Sequence, residues 1–449
     1  MNTPLARVHS EAGELPVSAQ SNHDPCRSPY VPWRERIKHF SWQWQALVTA
    51  TAVTSSIIHL FPYNNGSLAL KIVALIVFLI ALVIFVFDFV CIIIKGFLFP
   101  KACIRLITDP NQSSFSGFVA VGAAGLLDAA LNVNRDWNTG HSGYLYTMWG
   151  LWWFVAGLAY TIAFGVMFFI LGQKSRDLAK VVPIWIIPVV ALIATSTCGG
   201  LYASALMQHS HTLALVTTTF SLTMCIVGLS FTTMISASFL LRLFLHGAPE
   251  ATAVLATFNT LTPLGQGGYS FLVNGENFSK LLPVHLGSDF PHSQITGQVI
   301  FAICFCFAYL LWCMGLAWIA VSVLSISRRA NKLPKFNVTH WSVVFPNGVF
   351  ALLSVQLGNV LDSRFYRGFG AAWSIIVFIM WTGLFIRSIP AFIDGTMFLP
   401  VSPHLPTHKK HRRDRADEKH ADEKHTLPPV ISHDRDDGAT LVDSGKLPV

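Results

Sequence analysis

Charge is scarce in this chain. Of its 449 residues only 12% are Asp, Glu, Lys or Arg, against 53% hydrophobic ones. A soluble domain carries about a quarter charged residues, so the composition argues against an ordinary water-soluble protein. Clusters of chemistry-bearing side chains are also missing. The eight cysteines follow no zinc or disulfide spacing. The apolar stretches hold little ionisable chemistry beyond Asp88 and Asp128, with Glu250 at an edge and His59, His209 and His211 near stretch ends. A membrane-embedded enzyme would need a convergent acid, base or metal set. None is visible, so no cofactor and no metal are expected. Net charge is +8, but the cations are spread over loops and a tail. That placement does not suggest nucleic-acid binding.

What is present is a series of long apolar runs. A membrane-spanning helix takes about 20 such residues. Ten spans are expected, near 43–61, 70–94, 115–133, 146–171, 182–206, 212–245, 251–273, 295–326, 338–360 and 367–393. Basic residues cluster on one set of connections: Arg34, Arg36 and Lys38; Lys95, Lys101 and Arg105; Lys174, Arg176 and Lys180; Arg242; and Arg328, Arg329, Lys332 and Lys335. The other set holds Arg135, Lys280, Arg364 and Arg367, with Lys71 at the start of the second span. Positive residues favour the cytosolic side, which places both termini there.

The chain divides into a polar segment 1–39, a membrane domain 40–395 and a charged tail 396–449. The first forty residues lack the short apolar core of a signal peptide and are expected to be a disordered cytosolic lead. The tail carries a tandem Ala-Asp-Glu-Lys-His at 416–425. Its polarity cannot support a core, so it is expected to be disordered too. Metal binding by His420 and His425 is the lesser reading of that repeat. Asn65 and Asn277 head glycosylation sequons in the expected external loops.

The spans alternate in kind. The even ones are mostly Leu, Ile, Val, Phe and Trp. The odd ones are rich in small and polar residues: Thr49–Ser56, Ala120–Gly125, Ala194–Gly200, Thr260–Gly268 and Val344–Gly348. Close helix packing accounts for part of this pattern. Pro188, Pro263 and Pro346 all fall in odd spans. A proline frees a backbone carbonyl and kinks a helix, which lipid tolerates poorly. The expectation is a lipid-facing outer ring of even helices around an inner ring of odd helices that encloses a pathway. Without Lys or Arg in its middle, such a lining would hold an anion through hydroxyls and backbone N–H groups, weakly enough to release it. Asp128 is a candidate coupling acid, or a structural one near the external end.

These residues resemble the tellurite-resistance/dicarboxylate transporter family over about 38–393. That family includes fungal sulfite efflux pumps, yeast malic acid transporters and plant slow anion channels. Thr262-Pro263-Leu264-Gly265-Gln266-Gly267-Gly268 and Thr195-Ser196-Thr197-Cys198-Gly199 are similar to sulfite-pump segments. Arg36-Ile37-Lys38-His39-Phe40-Ser41-Trp42, Phe345-Pro346-Asn347 and Leu361-Asp362-Ser363 are similar to the malic acid group. Where the family usually has Met-Gly-Thr-Gly in its first helix, this chain has Thr49-Ala50-Thr51-Ala52, which narrows that space.

The resemblance implies an all-α membrane protein of ten helices in five hairpins around a pore, and trimers for some members. It also implies a phenylalanine gate on the ninth helix, matched here by Phe345. The expected pathway lining is Thr51, Ser55, Gly122, Thr197, Gly199, Thr262, Gly265 and Gln266. The expected function is plasma-membrane transport of a small anion, sulfite first, with malate or another organic acid as the alternative. A membrane-embedded enzyme and a non-transporting receptor are the rival classes.

Overall fold

The computed structural model describes residues 31–137, 142–172, 178, 181–250, 253–286, 293–332 and 336–398. The C-terminal repeat with His420 and His425, Cys26, and the loop cations Lys174, Arg176, Lys180 and Lys335 lie outside the described residues. All regular structure among the described residues is helical.

The long helices are α1 (Gln45–His59), α2 (Leu68–Leu98), α3 (Gly117–Trp137), α4 (Ser142–Leu171) and α5 (Ile187–Leu206). They continue with α6 (His211–His246), α7 (Leu261–Leu286), α8 (Ser293–Ser327), α9 (Val344–Val360) and α10 (Arg364–Asp394). Eight of these, some with their preceding turn, are long and apolar enough to cross a membrane. The other two are α1, with 15 residues, and α7, whose second half carries Asn274, Glu276, Asn277 and Lys280.

Each odd helix is preceded by a 3₁₀ segment: Trp42–Trp44, Ser114–Ser116, Pro183–Ile186, Val254–Thr260 and Val338–Val343. This corrects the expected place of the prolines. Pro188, Pro263 and Pro346 stand in the first turn of α5, α7 and α9, where 3₁₀ geometry gives way to α. A missing N–H costs little there, because first-turn donors lack helical partners anyway. The prolines inside a helix are Pro283 of α7 and Pro390 of α10. The even helices α2 and α6 start on serine caps, Ser67 and Ser210, whose hydroxyls accept from Leu70 N and Leu213 N.

Burial separates the two sets. Within the most apolar stretch of α3, α5 and α9, 78%, 83% and 78% of residues are buried. In α2, α4, α6, α8 and α10 the shares are 22%, 28%, 33%, 28% and 28%. α1 is buried from Gln45 to Ile58, and α7 from Leu261 to Gly275. Large apolar side chains such as Val83, Phe154, Phe168 and Ile379 point away from the protein. That is the reverse of a water-soluble fold and the arrangement a lipid surface requires.

The neighbour relations of the odd helices close on themselves: α1 packs on α3, α3 on α5, α5 on α7, α7 on α9, and α9 on α1. Each even helix packs against the odd helix before it and the odd helix after it, α10 returning to α1. Small residues permit this closeness. A Cβ on Gly265 of α7 would lie 2.8 Å from the Phe350 nitrogen of α9. Tryptophans of even helices donate to odd ones: Trp152 to Thr195 O (2.9 Å), Trp312 to Ser354 Oγ (2.9 Å) and Trp381 to Thr51 Oγ1 (3.1 Å).

The stretch expected as a disordered lead contains a helix at Trp33–His39. Arg36 anchors it. Its guanidinium donates to Val31 O, Phe392 O and Ile393 O at 2.7, 2.9 and 2.8 Å, joining the start of the bundle to the end of α10. Phe398 packs beside it on Trp44 and Phe40.

Candidate functional site

A cavity of about 50 Å³ receives side chains from all five odd helices. α1 contributes Val53, Ser56 and Leu60; α3 contributes Val121, Gly125, Asp128, Asn132 and Arg135. α5 supplies Ala194 and Leu201, α7 Gln266 and Tyr269, and α9 Phe345, Val349 and Leu352. Within each helix the spacings are three, four or seven residues, so each set is one helical face. The polar members are Ser56, Asp128, Asn132, Arg135, Gln266 and Tyr269.

A second, larger space of about 720 Å³ lies at the N-terminal ends of the odd helices. Ala46, Phe118, Ile184, Asn259 and Ser342 mark those ends in its wall. Four basic side chains line it, Lys38, His39, Lys95 and Arg105, and no Asp or Glu does so among the described residues. Met397 and Phe398 line it as well.

The two spaces share no lining residue. On α3 they are separated by the step from Phe118 to Val121, about 4.5 Å of helix rise. On the α9 segment the step runs from Ser342 to Phe345. Phe345, 6% exposed, lines the cavity on the side towards the vestibule, while on α1 and α5 the steps between the two linings are longer, Ala46 to Val53 and Ile184 to Ala194.

Of the sequence-derived lining set, Gln266 reaches the cavity, as do Phe345 and Asp128. The others sit between helices. Thr51 donates to Leu47 O (2.7 Å) and accepts from Trp381 of α10. Ser55 donates to Ala74 O of α2 (2.8 Å). A Cβ at Gly122 would meet Val48 of α1, and one at Gly199 would run into Ser221 and Trp152 of the even helices. Gly265 faces α9. Thr197 donates to Ile193 O and Gln266 O (3.2 and 3.4 Å). Thr262 is buried in the first turn of α7 and lines neither space.

Asp128 keeps a buried Oδ1 without a hydrogen-bond partner. Asp88 is fully buried on α2 with both oxygens unpartnered, and it lines neither space. Asn65 is exposed between α1 and α2. Asn277 is not in a loop. It is 2% exposed inside α7, and its Nδ2 donates to Gly200 O at 2.7 Å, so the nitrogen a glycan would need is occupied.

Arg135 escaped the sequence reading because it was counted as a loop cation. α3 continues past it to Trp137, and its guanidinium reaches Leu201 O at 3.4 Å. The neighbouring Asp136 instead pairs with His59 (2.9 Å) and Lys71 (3.3 Å). The signal that could have found it is the run 121, 125, 128, 132, 135, which is one helical face. Among the described residues no group of three or more His, Cys, Asp or Glu is placed to hold a metal ion.

The model of the voltage-dependent anion channel family SLAC1 matches residues 39–389. The chain is similar to the sulfite efflux pump SSU1 of Arthroderma otae, at 26% identity over 79% of this chain and 91% of that protein. It is similar to SSU1 of Saccharomyces cerevisiae, at 23% identity over 74% and 84%. It is also similar to the malic acid transport protein of Schizosaccharomyces pombe, at 21% identity over 83% of each chain. With the closed double set of helices, these matches lead to one conclusion: the chain belongs to the voltage-dependent anion channel family SLAC1 and is a multi-pass integral membrane protein.

Proposed function

We propose that this protein moves small anions across the plasma membrane, with sulfite as the cargo. It does so through a central pathway lined by α1, α3, α5, α7 and α9. In this reading all ten long helices span the bilayer as five hairpins, with both termini cytosolic. The observation that carries it is the cavity to which every odd helix contributes a face, with Phe345 in its wall and a basic vestibule at the N-terminal ends of the same helices. Phe345 is the gate. The cavity-facing donors Asn132, Arg135, Gln266 and Tyr269 are the groups that meet the anion, and of these Gln266 alone belongs to the sequence-derived lining.

The relatives named as sulfite pumps support the cargo, and so does size. A space of about 50 Å³ has room for a few waters, which suits a small inorganic oxyanion better than a dicarboxylate. Malate is the second reading, favoured by the similarity to the fission-yeast protein. Trimeric assembly is carried over from the family resemblance and is tested by mass in detergent. The reading gives the chain no enzymatic role, and turnover of a soluble substrate by detergent-solubilised protein would overturn that.

The deciding experiment is anion flux in proteoliposomes, sulfite against malate, under an imposed potential and then a pH gradient. Sulfite flux without malate flux is expected. Malate flux alone transfers the assignment to the second reading. Flux of neither, by folded protein, overturns anion transport of this class.

A further inference from the structure

We propose that the vestibule is a loading site for a small oxyanion, in which the Lys95 ammonium is the buried counter-charge. The inference rests on the transport reading and adds to it where the cargo first binds.

Lys95 lies in the last turn of α2, on the inward face that carries Ala74, Val77, Ala81, Asp88 and Cys91. It is 3% exposed and lines the vestibule. Its Nζ donates to Phe40 O at 2.5 Å. An ammonium has three donors, and one carbonyl satisfies one of them. No carboxylate lies within ion-pair distance of it among the described residues. Asp88 is two turns away on the same helix, about 10 Å by helix rise. A buried cation without a counter-ion is costly, and the cost falls when an anion arrives.

The surroundings suit a mobile anion better than a fixed acid. Arg105, exposed on the helix Pro100–Thr108, lines the same space. Lys38 lines it too, paired at the rim with Glu35 (3.2 Å). At about 720 Å³ the vestibule holds an oxyanion with its water, so dehydration is deferred to the narrower cavity.

The test uses full-length protein in proteoliposomes of one orientation, with sulfite presented to each face. Lys95→Met is expected to raise KM from the vestibule face about tenfold. The maximal rate from the vestibule face and the KM from the opposite face should stay within about twofold, and the maximal rate from the opposite face should fall in proportion, because the two fluxes must balance at equal concentrations. Lys95→Arg should restore the wild-type KM. An unchanged KM, or an equal rise on both faces, overturns the loading site. If Lys95→Met does not fold, Arg105→Gln decides: about a threefold rise in KM at low salt, fading at high salt, is expected, and no rise overturns the proposal.

A second readout does not need flux. Sulfite should raise the melting temperature of wild-type protein in detergent, and about tenfold more sulfite should be needed for the same rise in Lys95→Met. Stabilisation without flux would keep the site and sink the transport reading. Equal stabilisation of both proteins would sink the site.

Discussion

The two spaces differ in size and in sign. Among the described residues the vestibule holds about 720 Å³ and only basic ionisable side chains. The cavity holds about 50 Å³ and is lined by one acid, Asp128, and, two turns further along α3, one cation, Arg135. In the wide space an anion would keep its water beside the buried Lys95 and the exposed Arg105, of which salt screens only Arg105 readily. In the narrow one it must trade water for fixed donors, and an ionised carboxylate there would repel it. On the proposed transport reading, capture belongs to the wide space and selection to the narrow one.

The most direct way to break the comparison is to merge the spaces. Phe345→Ala is expected to raise anion flux about tenfold or more. Unchanged flux in well-folded protein removes Phe345 as the gate. Next, Asp128→Asn removes the acid from the narrow space. The KM for anion presented at the C-terminal ends of the odd helices should fall about fivefold, the scale of one screened like charge at close range. A rise in that KM would mean Asp128 helps to hold the cargo.

Arg135→Gln should weaken binding from the same side about threefold, most clearly at low salt. A salt-independent loss would assign Arg135 to structure instead. The smallest functional effect belongs to Trp381→Phe, which deletes the hydrogen bond to Thr51 outside both spaces. It should cost about 1 kcal/mol of stability, read as a lower melting temperature, with flux nearly unchanged. A large change in flux would return Thr51 to the pathway.

The alternation of helices was legible in the sequence because lipid and protein neighbours demand different side chains. Phe97 and Phe168 face outward, 84% and 73% exposed, whereas Gly265 must let a backbone through. The site was legible only in part. Polarity on an inner helix marks burial among helices, not contact with the pathway. Thr51, Thr54 and Thr195 return their hydroxyls to carbonyls one turn back, and Ser55 reaches across to α2. The hydroxyls thus look like a pore lining but are spent on structure. Face periodicity was the better guide, and it would have selected Asn132 and Arg135 with Asp128. Proline composition could not report depth, since a missing N–H reads the same in a first turn as in the middle of a span. Asn277 was misread because the polar second half of α7 resembles a loop until Gly200 O is seen to take its amide.

The Arg36 contact has a consequence for how the protein is made. The first helix finds its final neighbours, α9 and α10, only when nearly the whole bundle has been synthesised. The hydrogen bond between Thr51 and Trp381 spans 330 residues. Closing a loop of that length costs about 5 kcal/mol in chain entropy. Two guanidinium–carbonyl bonds, from Arg36 to Phe392 O and Ile393 O, offset part of that cost by holding the start and the end of the bundle together. Until α9 and α10 have been added, α1 keeps the faces meant for them uncovered. A nascent chain that stops before α9 is therefore an open arc, and one that stops before α10 can close the inner set but leaves its α9–α1 seam uncovered on the outside.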